Sequence, residues 1–167
     1  MRVLIYGFKP FGSYTENISE QLVLQIPLSS TLIKKVFDVR FDAEMFIKAL
    51  TKVKPDRILG LGLHPRARKL RIERKAINLR KNEDKTTMPI SLTGPVSIYT
   101  TLHLPESSLT TVTYDAGTYV CNYSMYLMGQ YCEQTDAQFG FVHIPKEYDL
   151  KKLSAWLKTT LARISTE

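Results

Sequence analysis

Short apolar runs alternate with amphipathic stretches along this chain, and turn residues divide them. Arg2 to Gly7 alternates weakly, ends in glycine and reads as a buried first strand. Pro10 and Gly12 then force a turn. Asn17, with Glu20 three residues later, has the spacing of a capping box and opens a helix to about Ile26. Thr31 to Val39 is β-rich and forms a second strand. Asp42 caps a helix through Phe46, Ile47 and Leu50, which Pro55 stops. Arg57 to Leu63 is apolar enough to be a central, parallel strand. In the β-like stretch that follows, Leu70 and Ile72 fall on one side and Arg71 and Glu73 on the other.

Thr111 to Tyr114 reads as a further strand, followed by a helix that Cys121 opens through Asn122, Met125, Leu127 and Met128. Gln138 to Ile144 is another strand. Leu150, Leu153, Trp156, Leu157 and Leu161 make the stripe of an amphipathic closing helix. This alternation predicts an α/β protein: a three-layer α/β/α sandwich with a mostly parallel twisted sheet. At 167 residues it is expected to form a single domain, residues 1–167.

Composition narrows the setting. No apolar run reaches the length of a membrane span, and Val3-Leu-Ile-Tyr6 is too short for a signal-peptide core. The expectation is a cytoplasmic protein with no membrane partner. The two cysteines, Cys121 and Cys132, have neither metal-site spacing nor a disulfide framework, so no metal or cofactor is expected. Gly60 and Gly62 lack the third glycine and following helix of a dinucleotide fingerprint. The net charge of +7 is densest from Arg66 to Lys75. That run reads as a solvated face or subunit contact, and a nucleic-acid-binding module is the minor alternative. No aromatic residue interleaves it, so no nucleic-acid partner is expected.

The candidate chemistry lies at two strand ends. A cysteine at a helix start sits at the positive end of the helix dipole, where the thiolate is favoured and unpaired N–H groups can hold an oxyanion. A strand ending at His143 delivers an imidazole to the carboxyl edge of the sheet, where α/β proteins bind ligands. Taken alone, such a cysteine is more often a small buried hydrophobe and such a histidine a structural hydrogen-bonding residue.

Four stretches in order change that balance: Gly7-Phe-Lys-Pro-Phe-Gly12, Ile72-Glu-Arg-Lys-Ala-Ile-Asn78, Ala116-Gly-Thr-Tyr-Val-Cys-Asn122 and Gly140-Phe-Val-His-Ile-Pro145. Together they resemble the pyroglutamyl peptidase I (pyrrolidone-carboxylate peptidase) family of cysteine peptidases. The resemblance implies a phosphorylase/hydrolase-like fold. It also implies removal of an N-terminal pyroglutamyl residue from peptides through a thioester. It makes Cys121 the nucleophile, His143 its base and Glu73 the third catalytic residue. Phe8, Phe11, Tyr119 and Val120 become the pocket for the pyrrolidone ring. The implied assembly is a homodimer or homotetramer.

The chain departs from the family in two places. Leu79 to Pro89 replaces the usual Asp-Ala-Arg-Ile-Pro-Asp-Asn run, and His64-Pro-Arg-Ala-Arg68 replaces the usual Gly-Gly-Arg stretch. A catalytically weakened relative that binds peptides or proteins is therefore the alternative reading.

Overall fold

The computed structural model describes residues 1–27 and 29–166. Six of its strands form one sheet in the order β2-β1-β3-β10-β4-β9. These are β1 (Val3–Phe8), β2 (Leu32–Phe37), β3 (Arg57–His64), β4 (Leu70–Glu73), β9 (Thr110–Thr113) and β10 (Gln138–Pro145). β2, β1, β3 and β10 pair in parallel, β4 joins β10 antiparallel, and β9 follows β4 in parallel. The reversal at β4 has a local cause. A parallel successor to β3 would need a crossover of a dozen or more residues. Here a tight turn, with the Ala67 N–H on the His64 carbonyl at 3.2 Å, sends the chain straight back. β10 arrives much later and fills the place between β3 and β4.

The twofold alternation of each strand divides the apolar residues between two layers. Val3, Leu61, Val142 and Ile72 face helices α1 (Ile18–Gln25) and α4 (Leu150–Ile164), meeting Leu22, Leu153 and Leu157. Leu4, Tyr6, Ile58 and Phe141 face α2 (Ala43–Val53) and α3 (Val120–Glu133), meeting Phe46, Leu50, Met125 and Met128. The mostly parallel three-layer arrangement expected from the sequence is thus present.

Local details differ from the sequence expectation. Asn17 does cap α1, its Oδ1 accepting from the Ser19 N–H at 3.0 Å, but the Ser19 hydroxyl rather than Glu20 completes the cap. Ser19 Oγ also accepts the Phe8 N–H at 3.0 Å, tying the cap to the end of β1. Asp42 caps α2 through the Glu44 N–H, and the helix ends at left-handed Lys54 just before Pro55. Leu150 is exposed, and Ile164 extends the buried stripe of α4 instead.

The region between β4 and β9 holds four short strands. β5 (Lys75–Ile77) pairs with β8 (Ser97–Tyr99), and β6 (Arg80–Lys81) with β7 (Thr87–Met88). Asn122 in α3 holds this region down. Its Oδ1 accepts from the Ile77 N–H, and its Nδ2 donates to the Ile77 and Leu79 carbonyls, each at 2.9 Å.

On the α3 side of β3 the positions under the helix are Gly60 and Gly62. A methyl group at Gly60 would stand 2.4 Å from Phe141 Cδ2 and 2.5 Å from Tyr6 Oη, both on fully buried rings. Gly60→Ala is therefore expected to lower stability by about 1–3 kcal/mol, the usual range for overpacking. Urea unfolding of the variant beside the parent chain checks this.

Candidate active site

The nucleophile candidate is set by the chain leaving β9. After Thr113 the backbone turns at Asp115, whose carboxylate accepts the Gly117 N–H at 2.9 Å. Gly117 has φ +75, a conformation that glycine adopts without steric cost. Helix α3 then starts, with Cys121 as its second residue. The N-cap, Tyr119, makes no side-chain cap bond, so the first N–H groups of α3 are not capped by it. The Cys121 thiol hangs over β3. A methyl group at Gly62 would lie 2.7 Å from its Sγ and 3.2 Å from Cδ2 of His143. Gly62 thus leaves a hole in which thiol and imidazole meet.

His143 lies on β10 opposite Gly62 on one side and Arg71 on the other. It is 4% exposed, and Glu73 is 0% exposed. His143 Nδ1 and Glu73 Oε1 are 2.8 Å apart, which leaves Nε2 for Cys121. Arg71 Nε donates to the same Glu73 oxygen at 3.1 Å, and the Thr113 hydroxyl donates to Oε2. Arg71 continues outward, donating from Nη2 to Thr113 Oγ1 at 3.3 Å and to the Asp115 carbonyl at 3.0 Å. Its Nη1 meets His64 Nε2 at 3.3 Å, and the His64 ring stands 5.3 Å from that of His143.

The electrostatics follow from these contacts. Burial by itself disfavours a charged His143. The charge of Cys121, a hydrogen bond with it and then Glu73 outweigh burial and push the imidazole pKa up to about 9. His64 goes the other way: burial first, then His143 and the Arg71 guanidinium, hold it below its ordinary range. Cys132 is pushed up to about 12 by burial, so it remains a thiol. A thiol, an imidazole and an orienting carboxylate in series, beside uncapped helix N–H groups, can carry out acyl transfer. Among the described residues no group of three or more His, Cys, Asp or Glu side chains converges as a metal site.

The other sequence candidates are spread around this centre. Phe8 ends β1 at 2% exposure, in the same apolar cluster as Val120. Phe11, beyond Pro10, is half-buried and packs on Tyr14 at 5.1 Å, against the cluster on the opposite face of the sheet. Tyr119 is 63% exposed, with Lys81 Nζ 5.8 Å from its ring centroid. The departing loop, 79–89, docks on the nucleophile turn through the Lys81 N–H, which donates to the Thr118 carbonyl at 2.8 Å.

Arg71, Thr113, Gly62 and His64 were not singled out from the sequence. Alternation had placed Arg71 on the side of Glu73, so its contact was legible there, though read as part of a solvated face. Thr113 and Gly62 enter only through strand register.

The pyroglutamyl peptidase family model matches residues 1–151. The chain is 30% identical to the pyrrolidone-carboxylate peptidase of Vibrio vulnificus, over 86% of this chain and 78% of that one. It is 28% identical to pyrrolidone-carboxylate peptidase 1 of Saccharolobus solfataricus, over 87% and 79%. In fold it resembles the crystal structure of pyroglutamyl peptidase I from Bacillus amyloliquefaciens, with a TM-score of 0.86 at 24% identity, covering 99% of this chain and 95% of that one.

Limited iodoacetamide treatment at neutral pH, read by peptide mapping, is expected to label Cys121 well before Cys132. Labelling of Cys132 first would contradict the environments just described.

Proposed function

The chain belongs to the pyroglutamyl peptidase family, and from that premise we propose how it removes an N-terminal pyroglutamyl residue from peptides. His143 takes the Cys121 proton at Nε2, giving an imidazolium–thiolate pair. The sulfur attacks the pyroglutamyl carbonyl carbon, and the oxyanion is held by the first N–H groups of α3. As the tetrahedral adduct collapses, the C–N bond breaks and His143 passes its proton to the departing amine. The pyroglutamyl thioester remains on Cys121. Water, deprotonated by His143, attacks it through a second oxyanion and releases pyroglutamate. Glu73 fixes the imidazole by accepting from Nδ1–H and stabilises the imidazolium.

The observation that carries this reading is the 2.8 Å contact between His143 and a fully buried Glu73, beside a thiol that shares its space at Gly62. A surface ion pair would not be sealed from water in this way.

For the lactam ring, the apolar wall is Phe8 and Val120. In this reading Tyr119, exposed on the turn before α3, closes over it, and Phe11, which packs toward the other face of the sheet, joins from the loop after β1. Phe8 also belongs to the core, so Phe8→Ala is expected to cost stability as well as substrate use. Phe11, being half-buried, is the cleaner probe of the pocket. The same resemblance implies a homodimer or homotetramer. Leu92 and Val96, 92% and 85% exposed, are apolar side chains that such an interface could bury.

Steady-state hydrolysis of a pyroglutamyl anilide tests the scheme. Turnover is expected to be abolished by iodoacetamide and by His143→Ala. Glu73→Gln keeps the shape and loses the charge, and is expected to lower turnover by up to ~10⁴-fold, the cost of losing the equivalent carboxylate in a serine-protease triad. The alkaline limb of kcat/KM is expected near pH 9, where the imidazolium loses its proton. Because the carboxylate favours the charged ring, Glu73→Gln moves that limb to lower pH. Parent-like turnover and pH profile in Glu73→Gln would leave a Cys–His dyad.

A further inference from the structure

The strand order lays the site out along a line. Phe8 lies on β1, Gly62 beneath the thiol on β3, His143 on β10, Arg71 and Glu73 on β4, and Thr111 and Thr113 on β9. Neighbouring strands are ~4.8 Å apart. If the pyroglutamyl ring occupies the β1 side, as proposed above, the leaving peptide has to depart toward the other side. The group that protonates the leaving nitrogen must stand beside it, and that group is His143. From His143 the peptide passes over β4 and then β9.

There it meets a cavity of about 510 Å³, lined by Arg66, Arg68, Lys69, Arg71, Thr111 and Thr113 and by no carboxylate. Arg71 is engaged with Glu73, Thr113 and His64. The side chains of Arg66, Arg68 and Lys69 make no ion pair or hydrogen bond among the described residues. They are exposed, on the turn between β3 and β4 that starts after His64. Three uncompensated cations, with Thr111 beside them, thus lie along the path of the leaving chain, within two strand spacings of the imidazole. An extended peptide covers that distance in about three residues, at ~3.3–3.6 Å each.

We propose that this cavity is a subsite for an anionic group on the leaving side of the scissile bond. The enzyme then favours pyroglutamyl peptides that carry a carboxylate on the second or third residue beyond the pyroglutamyl group. That carboxylate is either the free C-terminus of a short peptide or an Asp or Glu side chain. The proposal rests on the peptidase reading and adds a substrate class to it. Each cation is solvent-exposed and contributes modestly, so a preference of about tenfold is expected at low salt from the three together. It shrinks as salt rises, because the Debye length falls to ~8 Å at physiological ionic strength.

The test compares kcat/KM for two matched pairs. Pyroglutamyl-Ala-Ala with a free C-terminus is set against its amide, and pyroglutamyl-Ala-Asp-amide against pyroglutamyl-Ala-Asn-amide. A neutral pyroglutamyl anilide is the control. The pairs distinguish a terminal from a side-chain carboxylate. The acidic member of at least one pair is expected to be cleaved about tenfold faster at low salt, with the advantage fading at high salt. The double variant R68E/K69E, confined to exposed positions, is expected to erase or invert that advantage while leaving the anilide rate unchanged. Equal kcat/KM within both pairs, or a preference that survives the charge reversal, would overturn the subsite and leave the peptidase reading standing. Absence of turnover on every substrate, the anilide included, would remove both.

Discussion

Glu73 sits inside the sheet with no access to water, and a carboxylate in that position has to be paired. Leaving a buried charge without its partner costs ~3–5 kcal/mol. Here the partners come from three strands: Arg71 on β4 itself, Thr113 on β9 and His143 on β10. A slip of one residue in either neighbouring strand would turn Thr113 or His143 to the other face of the sheet and strand the carboxylate. The register of β10, β4 and β9 and the geometry of the proposed active centre are therefore one constraint. The reversed direction of β4 belongs to it, because the tight turn after His64 is what brings Arg71 and Glu73 beside His143.

The same constraint sets the balance of charge. The charge of the Cys121 sulfur, and then Glu73, favour a charged imidazole against the burial that opposes it. Arg71 donates to the same carboxylate oxygen that His143 contacts, while the Thr113 hydroxyl donates to the other, so the carboxylate is held where Nδ1 reaches it. His64, kept neutral by burial and by its two cationic neighbours, can stand against both the Arg71 guanidinium and the His143 ring without adding a further positive charge. In this chain the stretch that departs from the family, His64 to Arg68, thus abuts the centre itself. The other departing stretch reaches it through Lys81 on Thr118 and through Asn122, which ties the neighbour of the proposed nucleophile to Leu79.

Much of this was legible in the sequence, for identifiable reasons. Strands and helices followed from the apolar pattern, because β1 and β10 are short, near-continuous apolar runs and a stripe runs along α4. The places of Cys121 at a helix start and His143 late in a strand were legible from the pattern, but their chemical roles entered only through the family resemblance. Alternation puts Glu73 on the side of Arg71, but six cations from Arg66 to Lys75 read as a solvated face and only the resemblance sets Glu73 apart from them. Its burial depends on β9 and β10, two strands formed from residues much later in the chain. Gly62 looked like half of a failed nucleotide motif, and only the approach of α3 makes its missing side chain meaningful. Phe8 and Phe11 read as a pair, yet Pro10 between them turns the chain, so one ring enters the α2–α3 layer and the other packs against the opposite face.

The proposed chemistry turns on a His143 held as an imidazolium by Cys121 on one side and Glu73 on the other. An NMR titration of ¹³C- and ¹⁵N-labelled histidine, with His64 and His103 assigned by substitution, measures this directly. A His143 midpoint near pH 9 is expected, well above the ~6.5 of an ordinary histidine, with a lower midpoint in Cys121→Ser. A midpoint at or below the ordinary value, or one that Cys121→Ser leaves unchanged, would contradict it.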